Sequence, residues 1–476
     1  MENKSLKINA GNKEYTIVDG EAREMIKELQ EQQPTITGYG YIVDETTDVD
    51  GYLVGDIVPY GQLRDIQAQK RGKYFIKNKL REAIKAEFIG DSIFDSNEES
   101  TATIAQCYSD LYAYVYGPNL ISTVNHAYTG NTTDMIYNRT ETAVNECSDI
   151  TFIHAGINDA LYYVSPTGGL TSEECSIDSF ALNLKKLLSR HILRGSYVIY
   201  CIPAPMPMYM EEACRQDSDT GKAAQLAKEY GRVAKKVCES LGVPVFDSQL
   251  ALAGYKCFDV TTDGMHLTDA GKNSFAFKLL SYAIGRGAED ILHIKDGDSV
   301  AIGNLDQIGA VCSGGAALTS NVSAPPLTSF DGENDSGASV TLNTTSAEDA
   351  EKLARIIIPI YCDSENLFIV PHFASVGQGG VIFAEPFAGA VPYINNTGSV
   401  SDEATKAVSA PIFVIYNGTT HEVSKDDDGL INVSNALLIA QRGYHLLAIQ
   451  TMQAITSTEL LGFDVVKYSD FKEVTV

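Results

Sequence analysis

The rhythm of apolar and polar positions changes twice along this chain and marks off three stretches. Over residues 1–80 the pattern is short and interrupted, with a strand-like run at 14–18, an amphipathic segment at 21–33 stopped before Pro34, and a hairpin expected within 35–58. From 81 to 290 apolar runs alternate with helical periodicity, the mark of parallel βαβ units. Strands are expected at 85–89, 120–125, 149–154, 197–202 and 243–246. Helices are expected around Tyr108 and over 178–193, 220–241 and 269–283, with Thr268 capping the last. Beyond 291 the helical period fades, and apolar runs at 355–361, 367–371, 381–384, 411–416 and 445–449 are separated by Gly, Asn, Asp and Ser clusters. That spacing predicts a C-terminal, mostly-β, sandwich-like domain, with a helical turn at 346–353 and a long loop over 313–343.

At 476 residues the chain is too long for one ordinary domain. The three stretches read as an N-terminal extension or attachment segment (1–80), an α/β domain (81–290) and a β domain (291–476) that could bind carbohydrate. An apolar fraction of 44% and a charged fraction of 21% are those of a globular protein. A formal net charge of −26 opposes nucleic acid as a partner, because that affinity rests on Lys and Arg neutralising phosphates. No apolar run is long enough to span a bilayer, and the lysines near the start are not followed by the apolar run of a secretory signal. Nine cysteines without a C-x-x-C pair fit reduced thiols better than a disulfide framework or a thiolate zinc site. Cytoplasmic synthesis is the expectation, with an extracellular or phage-associated destination left open, and the oligomeric state is not legible.

Four loop signals carry the chemistry, and each follows an expected strand of the same sheet. They are Gly90-Asp91-Ser92-Ile93, Gly130 within Tyr128-Thr129-Gly130-Asn131-Thr132, Gly156-Ile157-Asn158-Asp159, and Asp263-Gly264-Met265-His266. In an open α/β sheet ligands bind beyond the carboxyl ends of the strands, so all four fall on the edge where a site would form. Acyl transfer needs these residue types. Ser92 offers a hydroxyl nucleophile, His266 a base suited to near-neutral pH, and Asp263 a carboxylate to orient that base. The N–H groups of Ser92 and Gly130 and the side-chain amide of Asn158 would meet the charge that develops on the attacked carbonyl oxygen.

In order and content these blocks resemble the SGNH hydrolases, the GDSL esterase and lipase superfamily, over the middle region only. The resemblance implies a flavodoxin-like three-layer α/β/α fold with a five-stranded parallel sheet, a shallow site, and neither cofactor nor metal. It assigns catalysis to Ser92, Asp263 and His266 and the oxyanion hole to Ser92, Gly130 and Asn158. The absence of a G-x-S-x-G elbow disfavours the α/β-hydrolase fold. The expected activity is a serine esterase that removes O-acetyl groups from a carbohydrate or glycopolymer. The alternatives are a lipase or broad small-ester esterase, and a phage tail or adhesion protein with a hydrolase-like domain. The last draws on Tyr15-Thr16-Ile17-Val18-Asp19 and the acidic segment after it, which resemble lead-in segments of phage tail or baseplate proteins.

Other features read more simply. Asp91 and Asp159 are assigned to loop architecture, His154 to a hydrogen-bonded core or rim position, and His126 to the cleft wall. Asp48-Val49-Asp50-Gly51 is a hairpin turn and not a calcium loop, because Thr46 and Ile57 stand where its end ligands would be. Lys425-Asp426-Asp427-Asp428-Gly429 is a solvated turn, and Gly377-Gln378-Gly379-Gly380 lacks the strand-to-helix setting of a phosphate loop. The absence of Trp beside 25 Tyr weakens sugar stacking by the terminal domain without excluding it.

Overall fold

The computed structural model describes residues 6–10, 13–17, 38–44, 52–95, 103–116, 119–139, 148–202, 219–248, 252, 266–287 and 291–301, and from there 311–313, 316–319, 339–342, 355–375, 381–384, 413–416, 431–432, 437–439, 442–451, 458–467 and 471–472. The expected helical segments at 21–33 and 346–353, the Asp48, Lys425 and Gly377 motifs, and Asp263 lie outside these residues.

Near the amino terminus, β1 (Leu6–Ala10) pairs antiparallel with β2 (Lys13–Ile17), and β3 (Gly40–Ile42) with β4 (Ile57–Pro59). Helix α1 (Tyr60–Leu80) follows directly. The middle of the chain then alternates strand and helix: β5 (Ile84–Ile89), α2 (Ile104–Tyr116), β6 (Ile121–Asn125), α3 (Thr133–Arg139), β7 (Ile150–His154), α4 (Ile157–Val164) and α5 (Ile177–Leu193). It continues through β8 (Tyr197–Cys201), α6 (Asp219–Leu241), β9 (Val245–Phe246) and α7 (Asp269–Gly287).

The five strands β5 to β9 form one sheet in the order β6-β5-β7-β8-β9, every neighbouring pair parallel. This is the flavodoxin-like order, with the first strand inside the second. Strands buried on both faces need continuous apolar runs. β7 (Ile-Thr-Phe-Ile-His) and β8 (Tyr-Val-Ile-Tyr-Cys) are accordingly buried at every position. Side chains alternating across the sheet feed two cores. Phe88, Phe152 and Ile199 join α2 and α7 on one face, while Ile89, Ile153 and Val198 join α1, α5 and α6 on the other.

Helix α1 is a departure from the expected extension at 1–80, because it packs on the sheet. Leu63 is buried in the second core, and the Gln67 side-chain amide both donates to the Val198 carbonyl (2.6 Å) and accepts from the Val198 N–H (3.1 Å). β9 is only two residues long and pairs with Tyr200 and Cys201, so Gln67 completes the ladder where β9 falls short. Residues 41–44 are tied in as well. Asp44 accepts from Tyr41 (2.8 Å) and from the fully buried Arg190 of α5 (3.0 Å), whose other nitrogen donates to the Tyr137 carbonyl (2.7 Å).

The C-terminal region is built of mixed and antiparallel strands. One six-stranded sheet centres on the Arg355–Cys362 strand and the later Gly443–Thr451 strand, the other on Leu367–Ser375 and Thr458–Lys467. The long loop expected at 313–343 instead contains two strands, Ala316–Thr319 and Ser339–Leu342, which pair antiparallel. Their Ser-, Gly- and Thr-rich surroundings mask a pairing that a sheet neighbour supplies. The first of the two sheets packs on α7, and Ile357, Leu446 and Ala448 join the same core as Phe275 and Leu279.

Candidate active site

Ser92 lies two residues beyond Gly90, where β5 turns out of the sheet. A Cβ at Gly90 would come within 2.5 Å of the His154 carbonyl oxygen, so only glycine allows the turn to pass this close to β7. After it the chain winds into a tight turn. The Asp91 carbonyl accepts from the N–H groups of Phe94 (3.2 Å) and Asp95 (3.1 Å), while Asp91 Oδ1 accepts from the Ile93 N–H (3.1 Å). Asp91 Oδ1 also lies 2.9 Å from His154 Nδ1, and both side chains are buried. Phe94, fully buried edge-on against Phe88 and Phe275, anchors the far side of the turn. Ser92 is therefore held from both flanks with its side chain at the sheet edge.

The Gly130 loop is fastened to this turn by three bonds. The Tyr128 N–H donates to the Gly90 carbonyl (3.0 Å), and the Thr129 N–H and hydroxyl both donate to Asp95 Oδ2 (2.9 and 3.0 Å). Gly130 has φ +79°, and the Tyr162 hydroxyl would lie 3.3 Å from a Cβ there. Gly156, with φ 112°, is the left-handed entry to α4 and puts Asn158 on its first turn. The Asn158 amide donates to the Asn131 carbonyl (2.9 Å), which couples it to the Gly130 loop and leaves its second N–H for another acceptor. Asp159 faces the other way and accepts from the Thr133 N–H (2.9 Å) and hydroxyl (3.0 Å) at the start of α3. Burial pushes its carboxyl up to about 7, against the pull of those Thr133 bonds.

His266 enters immediately before α7. Thr268 caps that helix through a 3.1 Å bond from the Gly271 N–H, as its position predicts, and Leu267 is buried. His266 Nε2 lies 3.0 Å from Ser92 Oγ across 174 positions of sequence. The four loop signals thus meet as follows: Ser92 and His266 touch, Asn158 and the Gly130 loop are bonded to each other, and the Ser92 turn is bonded to the Gly130 loop. Among the described residues no cluster of His, Cys, Asp and Glu is arranged to hold a metal ion.

His154 is buried and hydrogen-bonded, as the sequence reading expects, but that reading names neither its partner Asp91 nor a role for Thr133. The pattern Thr132-Thr133-Asp134 ahead of Met135 is an N-cap signal that would have found the start of α3, where Thr132 Oγ1 accepts from the Met135 N–H (3.3 Å). His126, expected on the cleft wall, has Nε2 3.8 Å from Glu87 Oε1.

Residues 88–273 match the GDSL-like Lipase/Acylhydrolase family. Among solved structures the chain is similar to an acetylxylan esterase from Geobacillus stearothermophilus, at 24% identity over 43% of this chain and 95% of that one, with a TM-score of 0.36. It is similar to another acetyl xylan esterase at 21% identity over 42% of this chain and 98% of that one, TM-score 0.35. A third similar structure is an enzyme from the metagenome of Lake Arreo, Spain, described as an alpha/beta hydrolase, at 21% identity, 44% and 98% coverage and TM-score 0.36. No curated protein matches the sequence.

Proposed function

We propose that the protein is a serine esterase with Ser92 as nucleophile and His266 as general base, a reading supported by the match of residues 88–273 to the GDSL-like Lipase/Acylhydrolase family. The observation that carries this reading is the 3.0 Å approach of His266 Nε2 to Ser92 Oγ, within reach for proton transfer. His266 takes the hydroxyl proton as Ser92 Oγ bonds to the acyl carbon. The charge on the carbonyl oxygen is met by the free N–H of the Asn158 amide together with the backbone N–H groups of Ser92 and Gly130. Collapse of the tetrahedral species breaks the ester bond, and His266 passes its proton to the departing alcohol oxygen. Water, deprotonated by the same imidazole, then releases the acid from Ser92. Asp263, three residues before His266, is assigned to the other ring nitrogen, where a carboxylate fixes the tautomer and stabilises the imidazolium.

The substrate class in this reading is an O-acetylated carbohydrate. Tyr128, 48% exposed and two residues from Gly130, offers a ring at the rim of the site, and Tyr162 stands beside Gly130 itself. Aromatic faces of this kind suit the C–H surface of a sugar. Acetate release from acetylated xylo-oligosaccharides and acetylated monosaccharides is the test. The wild-type chain is expected to release acetate, and Ser92→Ala to release none while unfolding at the same temperature. Preference for long-chain nitrophenyl esters over acetylated sugars would remove the carbohydrate assignment, and undiminished turnover by Ser92→Ala would remove the mechanism.

A further inference from the structure

A cavity of about 220 Å³ lies away from Ser92, between α7 and the start of the Gly443–Thr451 strand. Both parts of the chain build its walls: Lys278 and Tyr282 from α7, and Tyr361, Arg442, Tyr444 and His445 from the C-terminal region. The junction is packed and not incidental. Gly285 is needed there, because a Cβ would stand 2.2 Å from Tyr444 Cδ1, and the Tyr444 ring meets Tyr282 and Tyr361 edge-on at centroid distances of 5.3 and 4.9 Å.

Lys278 is buried among these rings with its Nζ 3.2 Å from Nδ1 of the buried His445, and Arg442 stands exposed at the mouth. The one acidic lining residue, Asp247, is engaged by Lys235 at 3.3 Å. Two cationic side chains in one cavity are unusual for a molecule whose formal net charge is −26, and they favour an anionic guest. The space is several times what a single water needs and more than an inorganic anion fills. Its tyrosine walls present flat apolar faces beside the charge, which suits a ring bearing a carboxylate.

We propose that this cavity binds a hexuronate unit, with the carboxylate directed to Lys278 and Arg442 and the sugar ring against the tyrosines. The proposal rests on the carbohydrate-ester reading for its meaning, since it makes the substrate an acetylated polymer that carries uronic acids. Its measurement is independent of turnover.

Calorimetric titration of the full-length Ser92→Ala chain with methyl glucuronide, methyl glucoside and inorganic phosphate tests it. Methyl glucuronide is expected to bind at least about tenfold more tightly than methyl glucoside or phosphate, the equivalent of losing one charged contact. Arg442→Gln, at the exposed mouth, is expected to weaken the glucuronide about tenfold, and Lys278→Gln by at least as much. Equal binding of glucoside overturns the carboxylate contact, and equal binding of phosphate overturns the sugar. Unchanged affinity in Arg442→Gln, whose folding is not in question at an exposed position, overturns the site. Glucuronide binding by a wild-type chain that releases no acetate would sink the esterase reading and leave this one standing, and acetate release without glucuronide binding would do the reverse.

Discussion

At the scale of single residues, the site depends on side chains aimed by their neighbours. Asn158 cannot choose its own direction. The Asn131 carbonyl holds one N–H of its amide at 2.9 Å, and in the proposed mechanism the other meets charge that exists only during reaction. Asn158→Ala is therefore expected to lower kcat by about 10²–10³ with a much smaller change in KM, read from initial rates on an acetylated sugar. A change confined to KM would show that the amide binds ground state and transition state alike.

Glu87, on β5 below the site, illustrates a different residue-scale effect. Its carboxyl is buried with Thr151 (3.1 Å) and Ser148 (3.4 Å) as donors and His191 at 3.7 Å, and burial pushes it up to about 7. Burial and the neighbouring Arg194 hold the His191 imidazole well below its ordinary range, so no cation is gained there. A carboxyl raised in the folded state favours folding below its unfolded pKa and loses that contribution as pH rises through about 7. Glu87→Gln removes the titration. Urea unfolding at pH 5 and pH 8 is expected to show the variant gaining on wild type at the higher pH by on the order of 1–3 kcal/mol. Parallel pH profiles would contradict the burial of this charge.

At the scale of elements, legibility followed the kind of side chain that each element buries. β7 and β8 bury every position, and α5 and α6 carry regular apolar faces, so their runs stood out in the sequence. Helix α1 stayed hidden because half of what it buries is polar: Gln67 and Asn78 stand beside Leu63 and Tyr74, and the apolar period is diluted. The same held for α3 and α4, of seven and eight residues, too short for a period to declare itself. Glycine spoke clearly where close backbone approach or a positive φ demands it, at Gly90, Gly130 and Gly156, and the three loop signals built on those glycines were legible for that reason. The Asp91–His154 contact was not, since nothing local links a residue after β5 to one ending β7. If α1 is part of the same cooperative unit as the sheet, Leu63→Ala should cost about 2–5 kcal/mol in urea unfolding and leave one transition. A variant as stable as wild type would make residues 60–80 an appendage after all.

At the scale of the whole molecule, the α/β sheet and the C-terminal strands share one hydrophobic core across α7. The helix that begins three residues after His266 carries Phe275 and Leu279 inward and receives Ile357, Leu446 and Ala448 from beyond. Helix α7 thus runs from just after His266, whose ring meets Ser92, to the far cavity, where its later turns lie against Tyr444. What makes this molecule an esterase in our account is a single meeting, of an imidazole and a hydroxyl separated by 174 positions. A fluorophosphonate reports on it directly, because only a hydroxyl activated by a base reacts. Peptide mapping of the labelled full-length chain should find one adduct, on Ser92, and His266→Gln should slow its formation at least about a hundredfold. An adduct elsewhere, or labelling of Ser92 at the same rate without the imidazole, would contradict the account.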